Sequence, residues 1–177
     1  MISILHLLQR ANEWLAVMAG GLLLLSVLVT IVDIVARQFE RSLGGTDELS
    51  GYAMAIATSW GMSYTLTSLS HVRIDLLRSR CDELWRSILD LIAILSLAGT
   101  AAVVAYRVWP VLEKSIKNNS TANTTLETPL WIPQSLWMAG WLWFAVSALF
   151  MLLSVVVLIT GKHFDQINRN AGIRDDT

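Results

Sequence analysis

Long uncharged apolar stretches alternate with short polar segments along this chain, and the alternation predicts four membrane-crossing helices. The predicted spans cover about residues 14–37, 49–70, 84–109 and 131–160. Each offers the roughly 20 residues that a helix needs to cross about 30 Å of hydrocarbon. Helices are expected because backbone groups in lipid must be satisfied within their own segment. The predicted fold class is therefore an all-α membrane protein.

The whole chain, 1–177, is interpreted as a single membrane domain that ends in a polar tail over 161–177. The first span contains the uncharged run LAVMAGGLLLLSVLVTIV. This run is longer than the roughly 7–15 apolar residues of a signal peptide, and no small-residue cleavage site follows it. We therefore interpret the first span as an uncleaved anchor.

The distribution of Lys and Arg predicts which side of the membrane each loop occupies. Four crossings place both termini and the loop between the second and third spans on one side. That side carries Arg10, Arg73, Arg78, Arg80, Arg86, Lys162, Arg169 and Arg174, and the opposite side carries Arg37, Arg41, Arg107, Lys114 and Lys117. Cationic residues close to membrane ends favour the cytoplasm. Both termini, the middle loop and the tail are therefore predicted to be cytoplasmic.

Composition excludes several classes of function. Hydrophobic residues make up 54% of the chain and charged residues 15%, whereas a soluble domain carries about 25% charged residues. The net charge of -1 does not suggest a nucleic-acid partner. The one cysteine, Cys81, cannot form an internal disulfide, and a zinc site needs several ligands. No cofactor and no metal site are expected.

Small residues recur every four positions in the second predicted helix, LSGYAMAIATSWGMSYTLTSLS. One ridge consists of Gly51, Ala55, Ser59, Ser63 and Thr67, and a second consists of Ala53, Ala57, Gly61 and Thr65. Such ridges let helix backbones approach closely in lipid. We expect this helix to pack on more than one side, with Gly51, Ala55, Ser59, Gly61 and Ser63 at the contacts. Packing within the chain and packing against another subunit both remain open.

The size of the apolar side chains and the positions of the tryptophans predict how the helices pack. The first and fourth predicted helices are richer in Leu and Val and are expected to face lipid. Trp60 lies near the middle of the second helix, away from the membrane interfaces that indole rings prefer. A packing role is expected for Trp60.

Ionisable residues within the predicted spans are few and lie near the helix ends. Asp33 precedes Arg37 by four residues, and Asp90 follows Arg86 by four, so each pair can form along one helix face. Neither pair lies at the midplane, where transporters usually bind a substrate or a coupling ion. The sequence therefore indicates neither a proton relay nor an ion site.

The histidines exclude redox and hydrolytic centres within the membrane. All of them lie outside the predicted spans, at His6, His71 and His163. A haem held by two histidines between helices is therefore implausible. No Ser-His-Asp or Cys-His set is evident either. We do not expect an enzyme.

Two polar loops carry the remaining signals. NNSTANTT, between the third and fourth spans, is uncharged and can hold a short interfacial segment before Pro129. SHVRIDLLRSR, between the second and third, can be an ordinary basic loop that meets anionic lipid headgroups. Alternatively, Asp75 caps a turn or holds Arg73 or His71 in a polar network that stiffens the hairpin or docks on a partner. Both interpretations remain open.

The chain resembles the small membrane subunit of TRAP (tripartite ATP-independent periplasmic) transporters, the DctQ-like small permeases. His71-Val72-Arg73-Ile74-Asp75, directly after a small-residue helix, is similar to that family's H-[VI]-R-[VI]-D signature. Further similarities follow in the same order: Arg37 with Phe39, the acidic pair Asp47-Glu48 before Leu49, Gly61, and the stretch Pro129-Leu130-Trp131-Ile132-Pro133. The resemblance covers about residues 14–158. Gly44-Gly45-Thr46 departs from it, since the family often has bulkier residues there.

The resemblance implies a role without chemistry of its own. In such transporters a periplasmic binding protein delivers an organic acid to a large membrane subunit, which moves it together with sodium. The small subunit braces the large one in the bacterial inner membrane and can help to dock the binding protein. His71, Arg73 and Asp75 would then form a cytoplasmic junction, structural or against the large subunit. Asp47 and Glu48 would open the second helix, and Arg37 would lie on the periplasmic face.

A rival interpretation is a self-sufficient four-helix transporter or channel that acts as a homo-oligomer. It would need a membrane-embedded carboxylate or a polar pore lining. The sequence offers only Asp33 and Asp90, near the helix ends. The resemblance implies the large subunit and the binding protein as partners, and the apolar spans imply membrane lipid.

Overall fold

A computed structural model describes residues 2–41, 43–68, 83–124 and 126–160. It contains four helices in chain order: α1 (Ile2–Arg37), α2 (Thr46–Thr67), α3 (Glu83–Lys117) and α4 (Trp131–Thr160). The predicted all-α fold with four helices is confirmed for these residues.

Within the part of the chain that the structure describes, three helices are long and apolar enough to cross a membrane. These stretches are His6–Arg37 in α1, Leu91–Lys117 in α3 and Trp131–Val157 in α4. α2 is not among them; its first turn carries Asp47 and Glu48, and many Ser and Thr residues follow. A crossing by α2 therefore stays a prediction.

Two helices extend past the predicted spans. α1 already begins at Ile2, and α3 runs through Pro110 as far as Lys117. Proline removes one backbone N–H from a helix ladder and usually ends or kinks the helix. Val108 and Leu112, on either side of Pro110, are nevertheless both buried. The buried face of α3 therefore continues across the proline.

The helices pack in the order α1, α2, α4, α3, each mainly against its neighbours in that order. α1 lies at one end of this arrangement. Among its described side chains, the buried ones are Leu8, Asn12, Ala19 and Asp33, which share one helix face. α1 therefore presents most of its Leu, Val and Ile side chains outward, as its composition predicted.

α4 contributes the most residues to the core, so the expectation that it faces lipid holds for one side of the helix only. The core combines Leu66 of α2 and Ile94 and Ala101 of α3 with four residues of α4. The α4 residues are Phe144, Ala148, Met151 and Val155. Composition averaged over a whole helix hid this face, because α4 carries exposed Leu and Val side chains on its other side.

α2 and α4 lie close together at Gly140. A methyl group added there would lie 2.3 Å from Ser59 Oγ and 2.8 Å from Ser59 Cβ. One residue further along α2, Trp60 Nε1 donates a hydrogen bond of 3.1 Å to the Leu136 carbonyl of α4. Trp60 thus joins two helices, in agreement with its expected packing role. Because α2 also packs on α1, the expectation of packing on more than one side is confirmed.

The turn between α1 and α2 is closed by backbone hydrogen bonds. Glu40 N donates to Arg37 O, and Arg41 N donates to Ala36 O, at 3.1 and 3.0 Å. Glu40 has a φ of 58°. This is the Schellman motif, in which a residue in the left-handed conformation satisfies the last helical carbonyls.

Replacing Glu40 with glycine is expected to stabilise the chain by about 1 kcal/mol, because glycine adopts positive φ without the steric cost that a Cβ adds. Unfolding in detergent micelles, followed by tryptophan fluorescence, measures this. Glu113→Gly, within α3, is the matched control and is expected to lower stability by about 1 kcal/mol. Loss of stability in Glu40→Gly would contradict the assignment of the turn.

Gly44 and Gly45, which depart from the family pattern, both have positive φ, 68° and 72°. Glycine populates this region freely, whereas bulkier residues are strained there. Gly45 precedes the first residue of α2, and the Leu126 side chain lies directly against its backbone. The unusual glycine pair therefore allows both a tight helix entry and a close contact with the loop between α3 and α4.

That loop, residues 118–130, folds back on itself. Ala122 N donates to Thr128 O and Leu130 N donates to Ser120 O, around an antiparallel bridge between Thr121 and Pro129. The sequence suggested a short interfacial segment in this region. Its described part is a hairpin-like loop that lies over the beginning of α2.

Candidate functional site

A buried carboxylate joins α1 to the beginning of α2. Asp33 is 1% exposed, and its Oδ2 accepts hydrogen bonds from Arg37 Nε at 2.8 Å and from the Thr46 hydroxyl at 2.8 Å. Arg37 Nη2 lies 2.6 Å from the same oxygen. Asp33 Oδ1 accepts from the Leu43 backbone N–H at 2.7 Å. We call Asp33, Arg37, Leu43 and Thr46 the Asp33 node; the predicted Asp33–Arg37 pair is confirmed.

The Asp33 node fixes the connection between two helices. A buried charge is tolerated only when it is paired and hydrogen-bonded, and both carboxylate oxygens have partners here. Those partners come from α1, from the turn and from the first residue of α2. The arrangement anchors the turn on α1. It leaves Arg37 half exposed, with its charge partly offset by Asp33.

Replacing Thr46 with valine, which has nearly the same shape, is expected to lower stability by about 1 to 2 kcal/mol. The change removes one hydrogen bond to a charged group. Detergent unfolding measures the effect. Thr30→Val is the control, because the Thr30 hydroxyl donates only to Ser26 O within its own helix. Equal stability of the two variants would show that the Asp33 node does not hold α2 on α1.

The acidic pair that opens α2 is divided between two environments. Asp47 is exposed. Glu48 is half buried and accepts hydrogen bonds from the Tyr52 hydroxyl at 2.7 Å and from the Thr124 hydroxyl. The Thr124 bond is the main reason that the pKa of Glu48 lies below its ordinary value. Glu48 is therefore ionised at neutral pH, and it ties the 118–130 loop to α2.

A buried amide joins three helices. Asn12 is 0% exposed; its Nδ2 donates to Ser63 O at 3.1 Å and to Thr67 Oγ1 at 3.2 Å on α2. Its Oδ1 accepts from Trp143 Nε1 of α4 at 2.7 Å. We call these four residues the Asn12 node. Sequence reasoning missed it, because Asn12 lies just before the predicted first span.

Only some of the small residues of α2 make contacts within the chain. Ser59 and Ser63 are buried, against Gly140 and in the Asn12 node respectively. Gly51 and Ala55 are exposed, and a methyl group added at Gly51 or Gly61 would meet nothing within 4 Å. One part of the predicted ridge therefore makes contacts within the chain, and Gly51 and Ala55 lie on the outward face.

Several predicted site residues cannot be placed. His71, Arg73 and Asp75 lie outside the described residues, as do the side chains of Arg86 and Asp90. The cytoplasmic junction therefore stays a prediction. Among the described residues, no group of three or more His, Cys, Asp or Glu side chains could hold a metal ion.

The two nodes bind helices to one another. Each buried polar group of a node is directed at another group of the same chain, through the hydrogen bonds given above. The nodes therefore account for helix packing and supply no catalytic chemistry.

Comparison with protein families gives a match to the DctQ component of tripartite ATP-independent periplasmic transporters, over residues 26–161. The chain belongs to this family. The matched region begins within α1 and includes α2, α3 and α4, together with the segment that carries the His71-Val72-Arg73-Ile74-Asp75 resemblance. Comparison with curated proteins and with solved structures gives no match. This DctQ component is thus a small transporter subunit and a multi-pass membrane protein, and the resemblance seen in its sequence is confirmed.

Proposed function

We propose that this DctQ component is a non-catalytic subunit of the bacterial inner membrane. It braces the large permease subunit during sodium-coupled, binding-protein-dependent uptake of an organic acid. The observation that carries the proposal is that the buried side chains of Asp33 and Asn12 both form hydrogen bonds that join one helix to another. A substrate or ion site would need polar groups directed into a cavity.

The arrangement of the helices also supports a brace. Helices that pack in the order α1, α2, α4, α3 leave α1 and α3 at the two ends. Such an arrangement offers broad apolar faces to a neighbour. A subunit that stiffens a larger partner needs faces of this kind, together with an internally fixed structure. The Asp33 and Asn12 nodes supply the fixed structure.

The proposed topology has four crossings with both termini in the cytoplasm. It can be tested with the single natural cysteine, Cys81, and a second chain that carries Asn118→Cys and Cys81→Ser. In intact cells with a permeable outer membrane, an impermeant maleimide is expected to label Cys81 only after lysis. The cysteine at position 118 should be labelled from outside. Labelling of Cys81 in intact cells would contradict the topology.

Reconstitution distinguishes the brace from a self-sufficient transporter. Alone in liposomes, the chain is expected to move no organic acid along a sodium gradient. When the chain is reconstituted with its large subunit and binding protein, uptake of the organic acid should occur. Sodium-driven uptake by the chain alone would instead support the homo-oligomeric carrier.

The proposed junction at His71, Arg73 and Asp75 is tested by replacing all three with alanine. If these residues hold the large subunit, the amount that co-purifies with the tagged chain should fall at least five-fold. Arg78→Ala with Arg80→Ala, in the same loop, is the control for replacing charged side chains of this loop outside the proposed junction. Unchanged co-purification and uptake in the triple variant would leave these residues as an ordinary basic loop.

The face proposed for the binding protein lies beside the turn between α1 and α2. Arg41 and Asp47 are exposed there, whereas Arg37 is held by Asp33. Arg41 is therefore the cation better placed to meet a soluble partner. Arg41 is expected to contribute to docking through charge, which weakens as salt is raised.

A further inference from the structure

A groove of about 250 Å³ runs between α1 and α2, close to the Asp33 node. α1 lines it with Leu22, Leu25 and Val29, and α2 lines it with Leu49, Tyr52 and Ile56. The α1 residues belong to the stretch that is apolar enough to cross a membrane. In a membrane this groove is therefore in contact with hydrocarbon.

Two of the three hydroxyl-bearing side chains in the lining, those of Thr46 and Tyr52, are already engaged elsewhere, and the third is Ser26 of α1. The Thr46 hydroxyl, at one end of the groove, donates to Asp33 Oδ2 at 2.8 Å. The Tyr52 hydroxyl donates to Glu48 Oε1 at 2.7 Å. Both side chains therefore present carbon to the groove. Its occupant is expected to be hydrocarbon along this length.

The groove is long in the direction of the helices. From Thr46 to Ile56 it follows α2 for ten residues, which is about 15 Å at 1.5 Å per residue. A single side chain from a neighbouring helix would fill only part of this length. An extended acyl chain that runs along the membrane normal fits it better.

One end of the groove lies beside cationic groups. The Arg37 guanidinium and the Thr46 hydroxyl contact the same oxygen of Asp33, at 2.6 and 2.8 Å. Arg37 is half exposed, and Arg41 is exposed in the turn that follows. Guanidinium groups match phosphate oxygens well. Exposed Glu40 and Asp47 at the same end suit an ammonium group beside the phosphate.

We propose that the α1–α2 groove binds one zwitterionic phospholipid, with an acyl chain along Leu25 and Ile56 and the headgroup at Arg37 and Arg41. The inference requires α1 and α2 to lie in a membrane, and it does not depend on the bracing role. The bound lipid fills the space that α1 and α2 leave between them. It thereby stabilises the contact of α1 with the rest of the chain.

The test uses the purified full-length chain in mild detergent, with native mass spectrometry to count retained phospholipid. Leu25→Trp fills the groove from its rim, and Leu24→Trp is the matched control. The two leucines are neighbours on α1 and are 58% and 62% exposed, but only Leu25 lines the groove. Retention of phosphatidylethanolamine is expected to fall at least five-fold in Leu25→Trp and to stay unchanged in Leu24→Trp.

Adding lipids back to the delipidated chain tests the headgroup. With identical acyl chains, phosphatidylethanolamine is expected to bind at least three-fold more than phosphatidylglycerol or diacylglycerol. Equal retention by the two tryptophan variants would overturn the site, and equal binding of diacylglycerol or stronger binding of phosphatidylglycerol would overturn the headgroup assignment.

A photoreactive side chain at position 25, activated in cells that contain the large subunit, separates lipid from protein as the occupant. Cross-linking to phospholipid is the expected result, and cross-linking to the large subunit would overturn the proposal. Because lipid retention is measured on the chain alone, its outcome is independent of whether the chain braces a partner.

Discussion

Replacing Asn12 with leucine is expected to lower the free energy of unfolding by about 2 to 3 kcal/mol, and to loosen α1 from α2 and α4. The change leaves the Trp143 indole N–H, which donates to Asn12 Oδ1 at 2.7 Å, without its acceptor. Leaving a buried donor unsatisfied costs about 1 to 3 kcal/mol. The two hydrogen bonds that Asn12 donates to α2 are lost as well.

The decisive measurement compares the stability lost when Asn12 or Trp143 is replaced alone with the stability lost when both are replaced. Trp143→Phe alone removes the donor and leaves Asn12 short of one bond. In the double variant neither group is left unsatisfied, so the double variant should be more stable than the sum of the single losses implies, by at least about 1 kcal/mol. SDS-induced unfolding in mixed micelles gives all the values needed. Strictly additive losses would mean that Asn12 and Trp143 do not interact.

Gln9→Leu is the matched control for Asn12→Leu. Gln9 is an amide on the same helix, less than one turn earlier, and it is exposed. The same amide-to-leucine exchange should therefore change stability by less than about 0.5 kcal/mol there. If both variants lose equal stability, the effect would belong to this end of α1 in general rather than to the Asn12 node.

The helices were predictable because crossing a bilayer requires a long stretch of apolar residues, which is visible in the sequence. Uncharged runs near the length of the bilayer core mark helices whatever their neighbours are, and four helices are present in the described residues. The pairing of Asp33 with Arg37 was predictable for a similar reason, since residues four apart share a helix face. Both inferences use only local geometry.

The helix neighbours were not predictable, because a single sequence gives the faces of a helix but not what lies opposite. The ridge in α2 identified Ser59 and Ser63, yet nothing in the sequence paired Ser59 with Gly140 or Ser63 with Asn12. The central position of α4 was missed for the same reason. Its exposed Leu and Val side chains dominate its composition, and its core face includes the small residue Ala148.

Replacing Gly140 with alanine is expected to lower stability by about 2 to 3 kcal/mol, which is the upper part of the range for overpacking a close contact. The new methyl group would lie 2.3 Å from Ser59 Oγ and 2.8 Å from Ser59 Cβ. The hydroxyl can rotate away, but Cβ is fixed by the backbone of α2. The two helices must therefore separate, and the bond from Trp60 Nε1 to Leu136 O should lengthen or break.

A second change on the opposite helix should restore what Gly140→Ala loses. Ser59→Gly removes the two atoms nearest to the new methyl group and leaves Trp60 Cδ1 at 3.0 Å, so the Gly140→Ala, Ser59→Gly double variant should recover much of the helix contact. Gly61→Ala is the control for glycine within a helix. A methyl group there meets nothing within 4 Å, so helix propensity alone should raise stability by up to about 1 kcal/mol.

A loss of stability in Gly140→Ala, a gain in Gly61→Ala, and recovery of the loss by Ser59→Gly would together locate the close approach of α2 and α4 at Gly140. A destabilising Gly61→Ala, or a Gly140→Ala variant as stable as the parent chain, would contradict this helix pairing. That contact is one of the packings that define the order α1, α2, α4, α3, because α2 packs on both α1 and α4. The two glycine substitutions therefore test the fold as well as a single contact.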